Sequence, residues 1–206
     1  MNDIPDLETI LKRLHLANTR RTYRELIARA EKGQWTYHDF LQTLCAEEVA
    51  QRHGTRLQRL TQRAGFPFLK TIDEFNFSFQ STLRLALLGS CLSPDFVTQG
   101  LSLIFSGKPG RGKTHLAIAV AYRAIQNGFD ALWTTAAALI DDLSTATRDG
   151  RFGEVLVNYT RPHVLVIDEV GYLTYGPDAA NVLFQVVSTR HLRRRCQRPR
   201  RRLHHR

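Results

Sequence analysis

Eight consecutive residues, Gly107-Lys108-Pro109-Gly110-Arg111-Gly112-Lys113-Thr114, fit the pattern G-x-x-x-x-G-K followed by Ser or Thr. A chain uses that pattern to surround a polyphosphate with backbone N–H groups. Side chains at the glycine positions would obstruct the approach, and glycine removes them. In such a loop Lys113 pairs with the β- and γ-phosphates, and Thr114 holds Mg²⁺ through its hydroxyl. The N-terminus of the following helix adds partial positive charge. The contacts expected for a bound nucleotide are Gly107, Lys108, Pro109, Gly110, Arg111, Gly112, Lys113, Thr114 and the adjoining His115, with ATP and Mg²⁺ as cofactors.

A second constellation completes the chemistry. Val164-Leu165-Val166-Ile167-Asp168-Glu169 is an apolar run that ends in two carboxylates. An acid at the carboxyl end of a strand beside the loop holds the magnesium, which is the role expected of Asp168. A neighbouring glutamate can polarise the attacking water, so Glu169 is the candidate base and Lys113 the candidate electrostatic catalyst. A chain that only binds nucleotide has no need of Glu169. Taken alone, either motif also fits a structural turn, Gly-rich in one case and a solvated Asp-Glu in the other; their co-occurrence favours chemistry.

The elements that must position these residues are legible as periodicities. Leu101-Ser102-Leu103-Ile104-Phe105 reads as a buried strand leading into the loop, and Leu116, Ala117, Val120, Ala121 and Ala124 recur at helical spacing after it. Ala131-Leu132-Trp133-Thr134 is the intervening strand, so Asp168 falls on a third. Upstream, Leu7, Ile10, Leu11 and Leu14, then Tyr23, Leu26, Ile27 and Ala30, mark two amphipathic helices, the second ending at Gly33. Thr36 and Asp39 form an N-terminal capping signal for a long helix through Phe40, Leu41, Leu44 and Val49 to about Ala64, with Gly54 as a break point.

Along that helix Arg52, Arg56, Arg59 and Arg63 fall on one face. That is the footprint of a surface that neutralises phosphates, and it is equally the pattern of a solvated face partly paired by Glu48 to Arg52. Between the helices and the loop, Thr71-Ile72-Asp73-Glu74-Phe75-Asn76-Phe77-Ser78-Phe79 is unusually aromatic for a linker, and aromatic rings need burial. It is expected to pack on the nucleotide-binding core.

The chain has 206 residues and a net charge of +10, unevenly spread. Residues 1–70 carry 12 Lys/Arg against 8 Asp/Glu, and residues 71–189 carry 8 against 11. Residues 190–206 hold nine Arg and no acid. The basicity is concentrated in the tail. No run of 18 apolar residues exists, and the N-terminus is acidic where a signal peptide is basic, so a cytoplasmic protein without membrane partners is expected. Cys45, Cys91 and Cys196 lack metal-type spacing and read as free thiols, the first two buried.

With the motifs placed, the chain resembles the IstB family, AAA+ helper ATPases of bacterial insertion sequences. The resemblance rests on Gly107–Ala117 (GKPGRGKTHLA), Val164–Leu173 (VLVIDEVGYL), Phe75–Phe79 (FNFSF) and Glu47-Glu48-Val49-Ala50 in the helical part, and covers roughly residues 5–192. It implies an α/β fold of the P-loop NTPase (AAA+) type, a parallel sheet with helices on both faces, preceded by a small all-helical domain. It further implies ATP hydrolysis to ADP and phosphate, duplex DNA and a transposase as partners, and assembly into an AAA+ oligomer that delivers target DNA. A helicase loader of the DnaC type has a similar core, and a hydrolysis-dead nucleotide- or DNA-binding fragment is the other alternative.

The domains expected are a helical unit at 1–66, an aromatic linker at 67–80, a P-loop core at 81–190 and an Arg-rich disordered tail at 191–206. The tail departs from the family, whose chains continue into a further central strand, a polar sensor residue and an arginine finger. So basic a segment cannot fill a position buried on both faces. The core is therefore expected to be incomplete at its C-terminus, through a frame error or truncation, and to turn over little ATP, though the tail also fits a nucleic-acid-binding arm.

Overall fold

The computed structural model describes residues 5–77, 85–172 and 177–197. Ser78, Phe79, Leu173 and the residues from Arg198 onward, all of which figure in the sequence reading, lie outside the described residues. The chain divides into two compact units, residues 1–59 and 60–206.

The first unit is helical: α1 (Leu7–Arg13), α2 (Ala17–Gly33) and most of α3 (Tyr37–Ala64). Asp6 caps α1 by accepting the Thr9 N–H at 3.3 Å. At the start of α3 the Asp39 N–H donates to Thr36 Oγ1 at 3.2 Å, while the Thr36 hydroxyl lies 2.7 Å from Asp39 Oδ2. The shorter acid thus meets the capping hydroxyl itself. Gly54 does not interrupt α3, because one exposed glycine costs only about 1 kcal/mol in a helix this long. As expected, α2 ends at Gly33, and the left-handed residue that caps it is Gln34, at φ 50°.

Leu11 and Leu26 are buried here, but the decisive contact is polar. No side chain of its own caps α2. Glu48, from α3, accepts the Thr19 N–H at 2.7 Å and the Thr19 hydroxyl at 2.9 Å, and Arg52 Nε donates to its other oxygen at 2.8 Å. A carboxylate five per cent exposed therefore meets donors from two helices. Cys45, expected to be buried, is exposed, and Cys91 is half-buried; both are free thiols. For Cys45 the helical phase decides: Leu44 and Glu48 turn inward, and position 45 turns out.

The second unit begins with the last turn of α3, where Leu60 and Ala64 are buried. Its helices are α4 (Leu85–Leu92), α5 (Pro94–Thr98), α6 (Lys113–Gln126), α7 (Ala136–Arg148), α8 (Phe152–Thr160) and α9 (Pro177–Gln197). Two parallel strands, β1 (Ala131–Thr135) and β2 (Val164–Asp168), pair in register from Ala131 opposite Val164 to Thr135 opposite Asp168. Parallel strands need a crossover, and α7 and α8 supply it. Leu132, Leu165 and Ile167 pack with Leu139, Leu143, Tyr159, Val182 and Val186 of α7, α8 and α9, while α6 lies against both strands from the other face. The fold is the α/β P-loop type, with helices on both faces of a small parallel sheet.

Two expectations need correction. Leu101–Phe105 forms no strand. Among the described residues the sheet has β1 and β2 alone, so Asp168 ends the second strand, not a third. A strand is held by its ladder, and without one Leu101 and Ile104 are 51% and 88% exposed; Phe105 alone is drawn into the apolar cluster beside α6. In addition, α9 runs on to Gln197, where a disordered tail was expected from residue 191. Just before that extension, the Arg190 guanidinium donates to the carbonyls of Tyr159 (2.7 Å), Pro162 (3.0 Å) and His163 (3.2 Å). Arg193 lies 3.5 Å from Thr160 Oγ1.

Burial pushes the Glu48 carboxyl up, but the Thr19 N–H, Arg52 and the Thr19 hydroxyl outweigh it and hold the group below its ordinary value of 4.5. A depressed pKa contributes stability above the unfolded value and loses it as pH falls through the folded one. The first unit should therefore weaken on acidification below about pH 4.5. Glu48→Ala, which strands the two Thr19 donors, should cost about 1–3 kcal/mol at neutral pH and flatten that pH dependence. Urea unfolding of a Trp133→Phe background, with Trp35 as its one tryptophan excited selectively, reads both.

Candidate nucleotide site

The loop between Phe105 and α6 is built from turns. Gly110 (φ 74°) and Gly112 (φ 78°) both adopt the left-handed conformation that favours glycine. Gly112 is the N-cap of α6 and offers no side chain to its first turn, so the amides there are left for a ligand. Lys113, the first helical residue, folds back so that its ammonium donates to the carbonyls of Gly107 (3.0 Å) and Lys108 (2.9 Å). The cation is thereby held at the centre of the loop. Lys108, Pro109 and Arg111 form its exposed rim.

The two motifs meet in space. Thr114 Oγ1 donates to Asp168 Oδ2 at 2.8 Å across 54 residues of sequence. Register explains the encounter: Asp168 is the last rung of β2, and α6 packs on that strand with its first turn at the strand's carboxyl end. The other carboxylate oxygen of Asp168 accepts the Glu169 N–H at 2.9 Å. A hydroxyl and a carboxylate in contact are the hard oxygen donors that suit Mg²⁺, which takes one or two carboxylates plus phosphate oxygens instead of a full protein cage. No cluster of three or more His, Cys, Asp or Glu occurs among the described residues.

Glu169 is the strained member. Its φ is 59°, one of three described non-glycine residues in the left-handed region, and its side chain is exposed beside Asp168. A glutamate gains nothing locally from that conformation, which Asn or Gly would adopt more readily. Such strain concentrates at functional sites.

His115, expected at the nucleotide, has its Nε2 2.9 Å from the carbonyl of Thr71 and its ring edge-on to Phe75 at 5.2 Å. That nitrogen is committed to the linker. The linker itself packs as the aromatic density requires: Ile72 and Phe75 are buried with Leu88, Leu116 and Ala119, and Phe77 and Phe105 lie against them. Arg52, Arg56 and Arg59 are exposed on α3 in the first unit and Arg63 in the second, and Arg52 is engaged by Glu48. Sequence reasoning did not find the strain at Glu169 or the ring of Phe75 against the loop. The FNFSF run was the one signal for the latter.

Known proteins are similar to this chain over most of its length. The model of the family described as IstB-like ATP binding protein matches residues 9–196. A protein of Geobacillus stearothermophilus named as the ATP-binding protein of insertion sequence IS5376 is 33% identical over 179 residues, covering 87% of this chain and 71% of its own length. One so named for IS21 in Pseudomonas aeruginosa is 30% identical over 186 residues, covering 90% and 70%. One named for IS232 in Bacillus thuringiensis is 27% identical over 193 residues, covering 94% and 77%.

If Glu169 is strained for chemistry and not for folding, Glu169→Gly should not destabilise the second unit. Relief of a left-handed residue, about 1–2 kcal/mol, outweighs the added backbone freedom of glycine, about 0.5–1 kcal/mol. The variant should match or exceed the wild-type urea midpoint, and a midpoint clearly below it would mean the glutamate side chain supports the fold.

Proposed function

Since the chain belongs to the IstB-like ATP binding protein family, we propose that it binds ATP with Mg²⁺ at residues 107–115 and Asp168 and serves DNA transposition. The observation that carries this reading is the Thr114–Asp168 contact of 2.8 Å, which joins the phosphate loop to the acid strand. Backbone amides of the loop and the first turn of α6 bind the phosphates, and Lys113 supplies the charge that neutralises the terminal ones. Thr114 and Asp168 would hold Mg²⁺, which, when bound, neutralises charge on the phosphate oxygens. Glu169 accepts a proton from the attacking water, so the activity is hydrolysis of ATP to ADP and phosphate.

We further propose duplex DNA, a transposase and further copies of the chain as partners, with the chain presenting target DNA to the transposase. Support for the DNA contact comes from Arg56 and Arg59, exposed on α3 in the first unit, and from the insertion-sequence names of the relatives. No described helix is long and apolar enough to cross a membrane.

Lys113→Ala should abolish ATP binding in a calorimetric titration, and Glu169→Gln should keep the affinity while losing the low phosphate release expected of the wild type. Equal affinity of wild type and Lys113→Ala would make the loop structural. For DNA, Arg56→Glu with Arg59→Glu, tested in a chain ending at residue 197, should weaken duplex binding uniformly across sequences and flatten its salt dependence. An unchanged salt slope would return those arginines to the solvent.

A further inference from the structure

Gly112 is constrained twice over. Its φ of 78° already disfavours a side chain, and a Cβ placed there would lie 2.6 Å from Cε2 and 3.3 Å from Cζ of Phe75. The ring of a linker residue therefore rests against the peptide that ends the phosphate loop and opens α6. Phe75 is nine per cent exposed, backed by Ile72, Leu88, Leu116 and Ala119, and edge-on to Phe77 at 4.9 Å. It has no room to withdraw without disturbing that cluster. Within the first turn of α6, His115 holds the Thr71 carbonyl. Residues 71–75 are thus pinned at both ends to the loop-helix junction, by a hydrogen bond at Thr71 and a ring contact at Phe75.

We propose that Phe75 is a positioning residue of the phosphate loop, and that residues 71–77 and 107–115 change conformation as one body, so that the linker registers whether phosphate is bound. The physical reason is reciprocity. If the ring favours the loop conformation that binds phosphate, bound phosphate must favour the ring's seat on Gly112 to the same extent. From within, the loop is held by the Lys113 ammonium on the carbonyls of Gly107 and Lys108. Residues 101–104 just before it are exposed and make no ladder, and Lys108, Pro109 and Arg111 form an open rim. Packing against Gly112 takes over a restraint that a paired strand would otherwise give. The inference rests on reading residues 107–114 as a phosphate loop, and its test separates the two.

Amide hydrogen exchange of the full chain, with and without Mg·ATP, is the experiment, on wild type, Lys113→Ala, Phe75→Ala and Phe75→Leu. Without nucleotide, Phe75→Ala should speed exchange at residues 107–115 about tenfold or more, while α7 and α8 stay unchanged. Phe75→Leu, which keeps apolar volume, should fall between it and wild type. With nucleotide, wild-type exchange at residues 71–77 should slow; Phe75→Ala should lose that response, and its ATP dissociation constant should rise about tenfold. Wild-type exchange at 107–115 in both Phe75 variants would overturn the proposal, as would acceleration spread evenly over α4, α6 and α7, which marks loss of core packing. If Phe75→Ala does not fold, Phe75→Leu carries the same comparison. Failure of wild type to respond to ATP, with loop exchange still dependent on Phe75, would overturn the nucleotide reading and the linker's sensing while leaving the positioning role in place.

Discussion

The pairing of β2 on β1 is the constraint on which the second unit depends. Five rungs from Ala131–Val164 to Thr135–Asp168 fix where β2 ends, and α6 lies on both strands, so the last residue of β2 must meet the first turn of the helix. Slip the register by one residue and Asp168 would face away from Thr114, taking Leu165 and Ile167 out of the cluster with α7, α8 and α9. The apolar contacts and the polar site therefore impose the same register. Asp130 reinforces it at the opposite end, where its carboxylate accepts the His163 N–H at 2.8 Å and its carbonyl accepts the Val164 N–H at 3.1 Å.

Much of this was legible in the residues because local chemistry and local structure agreed. The glycines of the loop, the apolar run ending in Asp168-Glu169 and the helical spacing after Thr114 each require their neighbours, and β1, β2 and α6 form where the periodicity placed them. The aromatic linker was readable for a different reason: aromatic rings need burial, and Phe75 and Phe77 find it against Ile72, Leu88, Leu116 and Ala119. Residues 101–105 failed because a short apolar run shows a capacity to be a strand, whereas strandhood depends on a ladder partner that no local pattern records. Cys45 failed because residue type alone was allowed to decide burial, against the phase of its own helix.

Other features could not have been read from spacing at all. Glu48 reaches the Thr19 donors across 29 residues, and that contact exists only once α2 and α3 are packed. The left-handed backbone at Glu169 is a cost the local sequence gives no reason to accept. Sequence logic breaks down at a tertiary cap and at a strained carboxylate for one shared reason: both belong to the assembled unit, and rules of local propensity do not reach that level.

Arg190 illustrates a different tolerance. Its three described bonds end on the carbonyls of Tyr159, Pro162 and His163, the turn that carries α8 into β2. Carbonyl oxygens are common to every amino acid. The turn's residues can therefore drift over generations without loosening the anchor, provided the backbone keeps its path. The anchor itself has no such latitude. Only a planar guanidinium offers donors spread widely enough for three separate oxygens, and a lysine would have to choose among them. Variation at this junction should thus be lopsided, permissive at the acceptors and strict at one donor.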